Sequence, residues 1–197
     1  MKIITAPHPT LRQIAKEVTV FDKKFFKFLE DLAQTLIKKE HPKGVGLAAP
    51  QVNKSVRVFA AILGEKNQDS KKPVVEFFIN PKITKNSTNK ILGAADGSER
   101  FEGCLSIPLL YGPVPRYEWV EIEYLSLNTL DLKKQTQPSL KKALFKDFDA
   151  RVIQHEYDHL NGILFTDLIL KNKLPVYIDE DGQWVEIKNK KEILSLL

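Results

Sequence analysis

Apolar residues recur along this chain with two distinct periods. Phe25, Leu29, Leu32, Ala33 and Leu36 fall at i, i+4, i+7, i+8 and i+11, the buried stripe of a helix predicted over about 23 to 40. Asp22 is placed to cap that helix, Phe21 to staple against Phe26, and Pro42 and Gly44 to end it. A second helix carries Val152, Ile153, Tyr157 and Leu160, with Asp147 or Asp149 as its cap and Asn161-Gly162 as its stop. A short helical turn is predicted to begin near Thr10. Elsewhere the period is that of strands. Val56–Ile62 and Val74–Ile79 are short β-prone runs, and Trp119–Leu127 alternates as a strand with one wet face. Residues 82–99 are polar and aperiodic, so their latter part is predicted as an exposed loop, and 128–142 as a polar connection containing some strand. Val176–Ile187 reads as a hairpin turning at Glu180-Asp181-Gly182, followed by a basic tail. With no internal repeat and no low-complexity linker, the expectation is one α+β domain over 1–197, a mixed or antiparallel β-sheet packed around a central metal-binding helix.

Composition narrows the class without naming a function. At 197 residues there is room for one well-filled core but not for a second large domain. A hydrophobic content of 43% with 28% charged residues is that of an ordinary globular protein, not a disordered or fibrous one. The single cysteine excludes an intramolecular disulfide and suits a reducing compartment. No opening segment reads as a signal peptide and no apolar run is long enough to span a bilayer, so a cytoplasmic protein with no membrane attachment is expected. The net charge of +5 is spread over Lys38-Lys39, Lys71-Lys72, Lys141-Lys142 and Lys188–Lys191, which reads first as solvated surface. Attraction to RNA or a ribosome is compatible with that charge, but composition does not localise it to one face, and no sequence-specific nucleic-acid binding is expected.

Candidate chemistry concentrates at residues 155–159, His-Glu-Tyr-Asp-His. On a helix, positions i and i+4 share a face, so His155 and His159 can offer imidazole nitrogens to one metal ion. Glu156 lies close enough to act on a water held there. A third ligand is needed, and Cys104, in Phe-Glu-Gly-Cys-Leu-Ser (101–106), is a candidate. Two histidines and a thiolate leave a fourth position open, as catalytic sites do. A metal so held acidifies a water, and Glu156 would accept its proton and pass it to a leaving amine. The donor set accommodates iron(II), zinc, nickel or cobalt. Taken singly, each feature has a plainer explanation. A lone helical histidine is commonly packed or solvated, as expected for His8 and His41, and a lone cysteine is commonly a small buried residue. A further segment, Gly44-Val45-Gly46-Leu47-Ala48-Ala49-Pro50-Gln51, reads either as a tight connection or as a place where substrate backbone approaches glycine and Gln51 donates to a developing oxyanion.

Gly-Val-Gly-Leu-Ala-Ala-Pro-Gln (44–51), Glu-Gly-Cys-Leu-Ser (102–106) and Gln-His-Glu-Tyr-Asp-His-Leu-Asn-Gly (154–162) resemble, in type, order and approximate separation, the three signature motifs of peptide deformylases. Pro-Thr-Leu-Arg (9–12) and Ile-Asn-Pro (79–81) are also similar to that family, and the resemblance runs over about 5–168. It implies removal of the formyl group from the N-terminal methionine of new polypeptides, with release of formate. It further implies one divalent metal, iron(II) in the cell and often zinc or nickel as isolated, held by Cys104, His155 and His159. Glu156 would be the acid/base, while Gln51 and the Leu105 backbone N–H would hold the oxyanion. Gly46 would lie beside an extended substrate, an N-formylmethionyl nascent peptide, and Val45, Glu102, Phe148 and Val152 would build or border the methionine pocket. A bacterial-type cytoplasmic monomer, met by its substrate near the ribosomal exit tunnel, is the accompanying expectation. Two positions depart from the pattern: Arg100 stands where the family is often apolar, and Tyr111 where some members carry a basic residue. Residues 169–197 carry over nothing from the resemblance.

Two other classes remain to be weighed. A zinc protease shares His-Glu-x-x-His, but it expects a third ligand after the helix and gives Cys104 no role; no histidine follows His159. A basic RNA- or ribosome-binding domain with a structural metal would have no need of Glu156 and would usually present four protein ligands.

Overall fold

The computed structural model describes residues 1–40, 43–93, 101–132, 136–180 and 182–189. Arg100, His41, Pro42, Asp181 and the tail lysines Lys190 and Lys191 lie outside them. After a 3₁₀ turn at Pro9–Arg12, helix α1 (Lys23–Ile37) leads into β1 (Gly46–Ala48), a 3₁₀ turn at Ala49–Val52 and β2 (Val58–Ala61). There follow α2 (Glu65–Gln68), β3 (Glu76–Asn86), β4 (Lys90–Ile91), β5 (Glu102–Cys104), β6 (Ile107–Gly112), β7 (Arg116–Tyr117) and β8 (Trp119–Asn128). The chain continues through α3 (Thr129–Leu132), β9 (Ser139–Lys146), α4 (Asp147–His159), α5 (Phe165–Lys171), β10 (Tyr177–Glu180) and β11 (Gln183–Glu186). The strands form three sheets, ordered β1-β2-β3-β8-β9, β11-β10-β6-β5 and β4-β7, and neighbouring strands pair antiparallel.

Strand periodicity decides what each face of the five-stranded sheet meets. Val58, Ala60, Phe77 and Ile79 point to one side and pack with Leu29, Leu32 and Leu36 of α1. Phe59, Ala61 and Phe78 point to the other, where they pack with Val120, Ile122 and Tyr124 and with Ala150, Val152 and Ile153 of α4. The two faces account for the near-continuous apolar run in β2, all of whose residues are buried. A separate core of Leu110, Val114, Leu164, Phe165, Ile169 and Val176 holds the second sheet against α5. Helix α4 therefore lies between two sheets, its apolar side on the first and its histidines towards Cys104 on the second. The architecture is the predicted α+β domain around a central helix, in its antiparallel form.

Several local expectations shift. Asp22 Oδ1 does cap α1, accepting from the Phe25 N–H at 2.8 Å, but the Phe21 ring meets Phe25 edge-on at 5.5 Å, one residue before the predicted staple. Neither Asp147 nor Asp149 caps α4. Lys146 holds that position without a side-chain bond, and Asp149 instead accepts from the Gly64 N–H at 3.0 Å. Both aspartates still sit in the first turn, where negative charge offsets the helix dipole. The polar residues 82–86 extend β3, because cross-strand pairing with β8 decides their structure more than their own hydropathy does.

Candidate active site and its metal centre

Two separate segments meet at the N-terminal part of the chain. The Ile4 N–H donates to the Gln51 carbonyl at 2.8 Å and the Ala6 N–H to the Ser106 carbonyl at 2.9 Å, so residues 1–6 tie the 44–52 and 102–106 segments together. Between them lies a cleft of about 200 Å³ lined by Val45, Gly46, Gln51, Glu102, Cys104, Leu105, Phe148, Val152, His155 and Glu156. It thus gathers ten of the eleven residues singled out from sequence. The remaining one, His159, is fully buried behind it, with Nε2 3.2 Å from Cys104 Sγ.

Helical spacing brings His155 and His159 to one face of α4, their rings 5.0 Å apart and steeply inclined. Alternation in β5 turns Glu102 and Cys104 to the buried side together, while Gly103 lies on the strand's other face under the Tyr111 ring. The ligand atoms of Cys104, His155 and His159 lie within 4.8 Å of one another. Two of the three ligands are also aimed. His155 Nδ1 lies 3.0 Å from Glu102 Oε2, leaving Nε2 for the site, and Cys104 Sγ accepts from the Ser106 N–H at 3.4 Å. The donor set fits a divalent ion of the borderline-soft class, one thiolate and two imidazoles with room for a further ligand.

The electrostatics point the same way. Burial opposes charge on His155, yet the Cys104 and Glu102 partners and nearby Glu156 hold its pKa well above the usual value. Burial, reinforced by the neighbouring His155 and Arg116, pushes His159 well below it, towards the neutral ligand form. Burial also raises Glu156 to about 7, against the opposing pull of His155. One Glu156 oxygen, Oε2, is buried with no hydrogen-bond partner among the described residues. Such an atom in a cleft wall is poised for a polar group entering from outside the protein.

Gln51 is 1% exposed and held at both ends of its amide. Its Oε1 accepts from the Ala48 N–H at 2.8 Å, which fixes Nε2 as the outward donor, 3.3 Å from Ser106 Oγ and 3.4 Å from Cys104 Sγ. Gly46 has a purpose the sequence reading did not identify. A Cβ there would stand 2.3 Å from Glu156 Oε1, so the absence of a side chain is what lets the carboxylate occupy its place.

Sequence reasoning missed the supports of this site. Glu102 lines the cleft but is mainly an anchor. Arg116 Nε and Nη2 donate to its two oxygens at 2.9 Å each, Arg151 Nη1 donates to Oε1 at 2.8 Å, and His155 takes the remaining approach. Arg116 also pairs with Asp158, and Arg151 donates to the Val114 and Gly93 carbonyls. Burial alone would raise the Glu102 pKa, but the Arg116 guanidinium and His155 override it and hold the carboxyl well below the usual range. Gln154 grips the Tyr117 backbone at both its N–H and its carbonyl, fixing α4 against β7. Nothing in one sequence distinguishes Arg116 or Arg151 from a surface arginine. Glu102 was visible only through its motif.

The polypeptide deformylase family model matches residues 1–174. A peptide deformylase 2 of Nostoc sp. is 36% identical over 194 residues, 97% of each chain. A peptide deformylase 1 of Bacillus subtilis is 36% identical over 170 residues, 86% of this chain and 90% of that one. Among solved structures, a Met-Ala-Ser-bound peptide deformylase from Acinetobacter baumannii superposes with a TM-score of 0.68 at 31% identity, covering 86% of this chain and 98% of that one. The match spans the three segments that fold into the cleft, and with the convergence of Cys104, His155, His159, Glu156 and Gln51 it makes this chain a member of the peptide deformylase family.

Proposed function

We propose that this protein hydrolyses the formamide at the N-terminus of N-formylmethionyl nascent peptides, releasing formate and a free methionine amine. The observation that carries the reading is that a cluster of three metal-ligand side chains, two of them lining the cleft and His159 directly behind it, meets a buried carboxylate with an unpartnered oxygen and a fixed amide donor at one cleft. Cys104, His155 and His159 would hold one divalent ion. We take it to be iron(II) in the cell, with zinc, nickel or cobalt tolerated by the same donors. When bound, that ion supplies Lewis acidity to a water and to the formyl oxygen.

The protein's own groups do the rest. Glu156 takes a proton from the attacking water and returns it to the leaving amine as the C–N bond breaks; burial, which brings its pKa to about 7, suits both directions of transfer. The Gln51 amide, oriented by Ala48, donates to the developing oxyanion, and the Leu105 N–H beside the cleft would be its second donor. β1 and β5 are edge strands of different sheets, and residues of both line the cleft, so an extended peptide fits between them as an added strand. Val45, Phe148 and Val152 then offer the methionine side chain an apolar wall.

The substrate arises during translation, so we place the protein in a bacterial-type cytoplasm, acting as a monomer on chains leaving the exit tunnel. Among the described residues no helix is long and apolar enough to cross a membrane. The basic 188–191 stretch would assist ribosome docking; binding unaffected by salt or by deletion of residues 188–197 would overturn that part. The test of the main reading pairs a formyl-methionyl peptide with its acetyl analogue. Formate from the first without cleavage of the second, and no internal peptide-bond cleavage, is expected. Internal cleavage would favour a protease.

A further inference from the structure

The C-terminal hairpin packs behind one wall of the cleft. Cross-strand register sets Gly103, Tyr111, Tyr177 and Glu186 in one row across the four strands of the second sheet, so these residues face the same way. Phe101, two residues before Gly103, and Trp184, two before Glu186, share that face. Their rings close into one cluster. Phe101 stacks on Tyr177 with centroids 4.8 Å and planes 11° apart, while Trp184 stands edge-on to Tyr111 at 4.5 Å and to Phe101 at 5.7 Å.

Tyr111 lies across Gly103, where a Cβ would come within 2.5 Å of its Cε1. The ring therefore covers the strand that carries Cys104. Phe101 and Tyr111 line the cleft together with Leu109. Leu109 is 58% exposed and held at φ 70°, a conformation a leucine adopts only at a cost. An apolar side chain is thus both strained and left in water at the cleft mouth. Trp184 and Tyr177 stand behind Phe101 and Tyr111 and do not line the cleft themselves.

We propose that Trp184 and Tyr177 are positioning residues. They hold Phe101 and Tyr111 as an apolar wall, completed by Leu109, for the side chains that follow the formylmethionine, so that peptides with aliphatic or aromatic residues there are preferred. The inference rests on the deformylase reading. It gives the hairpin a task in substrate selection, and it replaces the charge that some relatives are expected to use at Tyr111 with apolar contact.

The test compares formyl-Met-Leu-Leu with formyl-Met-Gly-Gly on the metal-loaded full chain and on Trp184→Ala and Trp184→Phe. In Trp184→Ala, KM for formyl-Met-Leu-Leu should rise about three- to tenfold through loss of the edge-on contacts. KM for formyl-Met-Gly-Gly and kcat for both should stay unchanged, and Trp184→Phe should restore most of the difference. Equal KM changes for the two peptides, no change, or a fall in kcat for both would overturn the proposal. A second arm needs no turnover. The chain has two tryptophans, so in a Trp119→Phe background Trp184 emission should respond to the deformylated peptide Met-Leu-Leu at lower concentration than to Met-Gly-Gly. Identical titrations for the two would count against the wall. If the unaltered protein releases no formate from either peptide, the deformylase reading fails, and this titration still decides the wall.

Discussion

Replacing Gly46 by alanine puts a methyl group where Glu156 already stands. The new Cβ would lie 2.3 Å from Oε1, 2.7 Å from Cδ and 2.8 Å from Cγ, whereas ordinary contact begins at 3.4 Å. The carboxylate must therefore retreat by about 1 Å. It has little room to do so, because Glu156 is 4% exposed and rooted in a helix packed on both sides. A displacement of that size in a reacting group costs roughly 10²-fold in rate, or about 2.7 kcal/mol of barrier. Steady-state formate release by Gly46→Ala, with metal content measured on the same sample, should thus show kcat down about 10²-fold at unchanged metal stoichiometry. The three atoms nearest the added methyl all belong to Glu156 and none to the ligands Cys104, His155 or His159. Full activity in Gly46→Ala would refute the claim that this glycine exists to seat the carboxylate. Loss of metal would refute the separation of the two roles.

Three further outcomes follow from the same geometry. Glu102→Gln removes the charge between two buried arginines, so metal affinity should fall about 10–100-fold and stability by about 3–5 kcal/mol, read by metal titration and thermal unfolding. Because the folded pKa of Glu102 is depressed, its stabilisation is present above its ordinary value of 4.5 and lost as pH falls further; the acid-unfolding limb of the metal-free protein should flatten in Glu102→Gln. Glu156→Gln should lose about 10²- to 10⁴-fold in kcat while binding one metal per chain, since the carboxylate is not in the ligand cluster. Chelation should lower the unfolding temperature, and Cys104→Ser should abolish most of the stabilisation that added metal gives, about 2.7 kcal/mol at a hundredfold excess over Kd.

How much of this was legible beforehand depended on whether the signal was local. The α1 stripe, the hairpin at 177–186 and the i, i+4 histidines arise from neighbours in sequence, and each stands where its pattern places it. The ligand trio was legible because cysteine and histidine are scarce and chemically distinctive. Arg116 and Arg151 were not, since their burial depends on Glu102 coming to them from a different strand. The N-cap of α4 escaped for a similar reason: Asp149 finds the Gly64 N–H across the fold, which no local rule anticipates. Glycine was the ambiguous letter. Gly46 read as a site of close approach, and what approaches it is a side chain, Glu156, as Tyr111 approaches Gly103.

The supports around Glu102 explain how the cleft wall holds buried charge. Glu102 accepts from two buried guanidiniums, one of which also pairs with Asp158, and in return they keep it ionised and aimed at His155. His155, on the ligand face of α4, is thereby oriented by the protein's own groups. The most direct measurement is formate release from a formyl-methionyl peptide by iron(II)-loaded protein prepared without oxygen, with Glu156→Ala at equal metal content beside it. The account predicts formate in equal amount to new free methionine amines, and its collapse in the mutant. Correctly metallated protein that releases no formate, or a mutant as active as the parent, would contradict it.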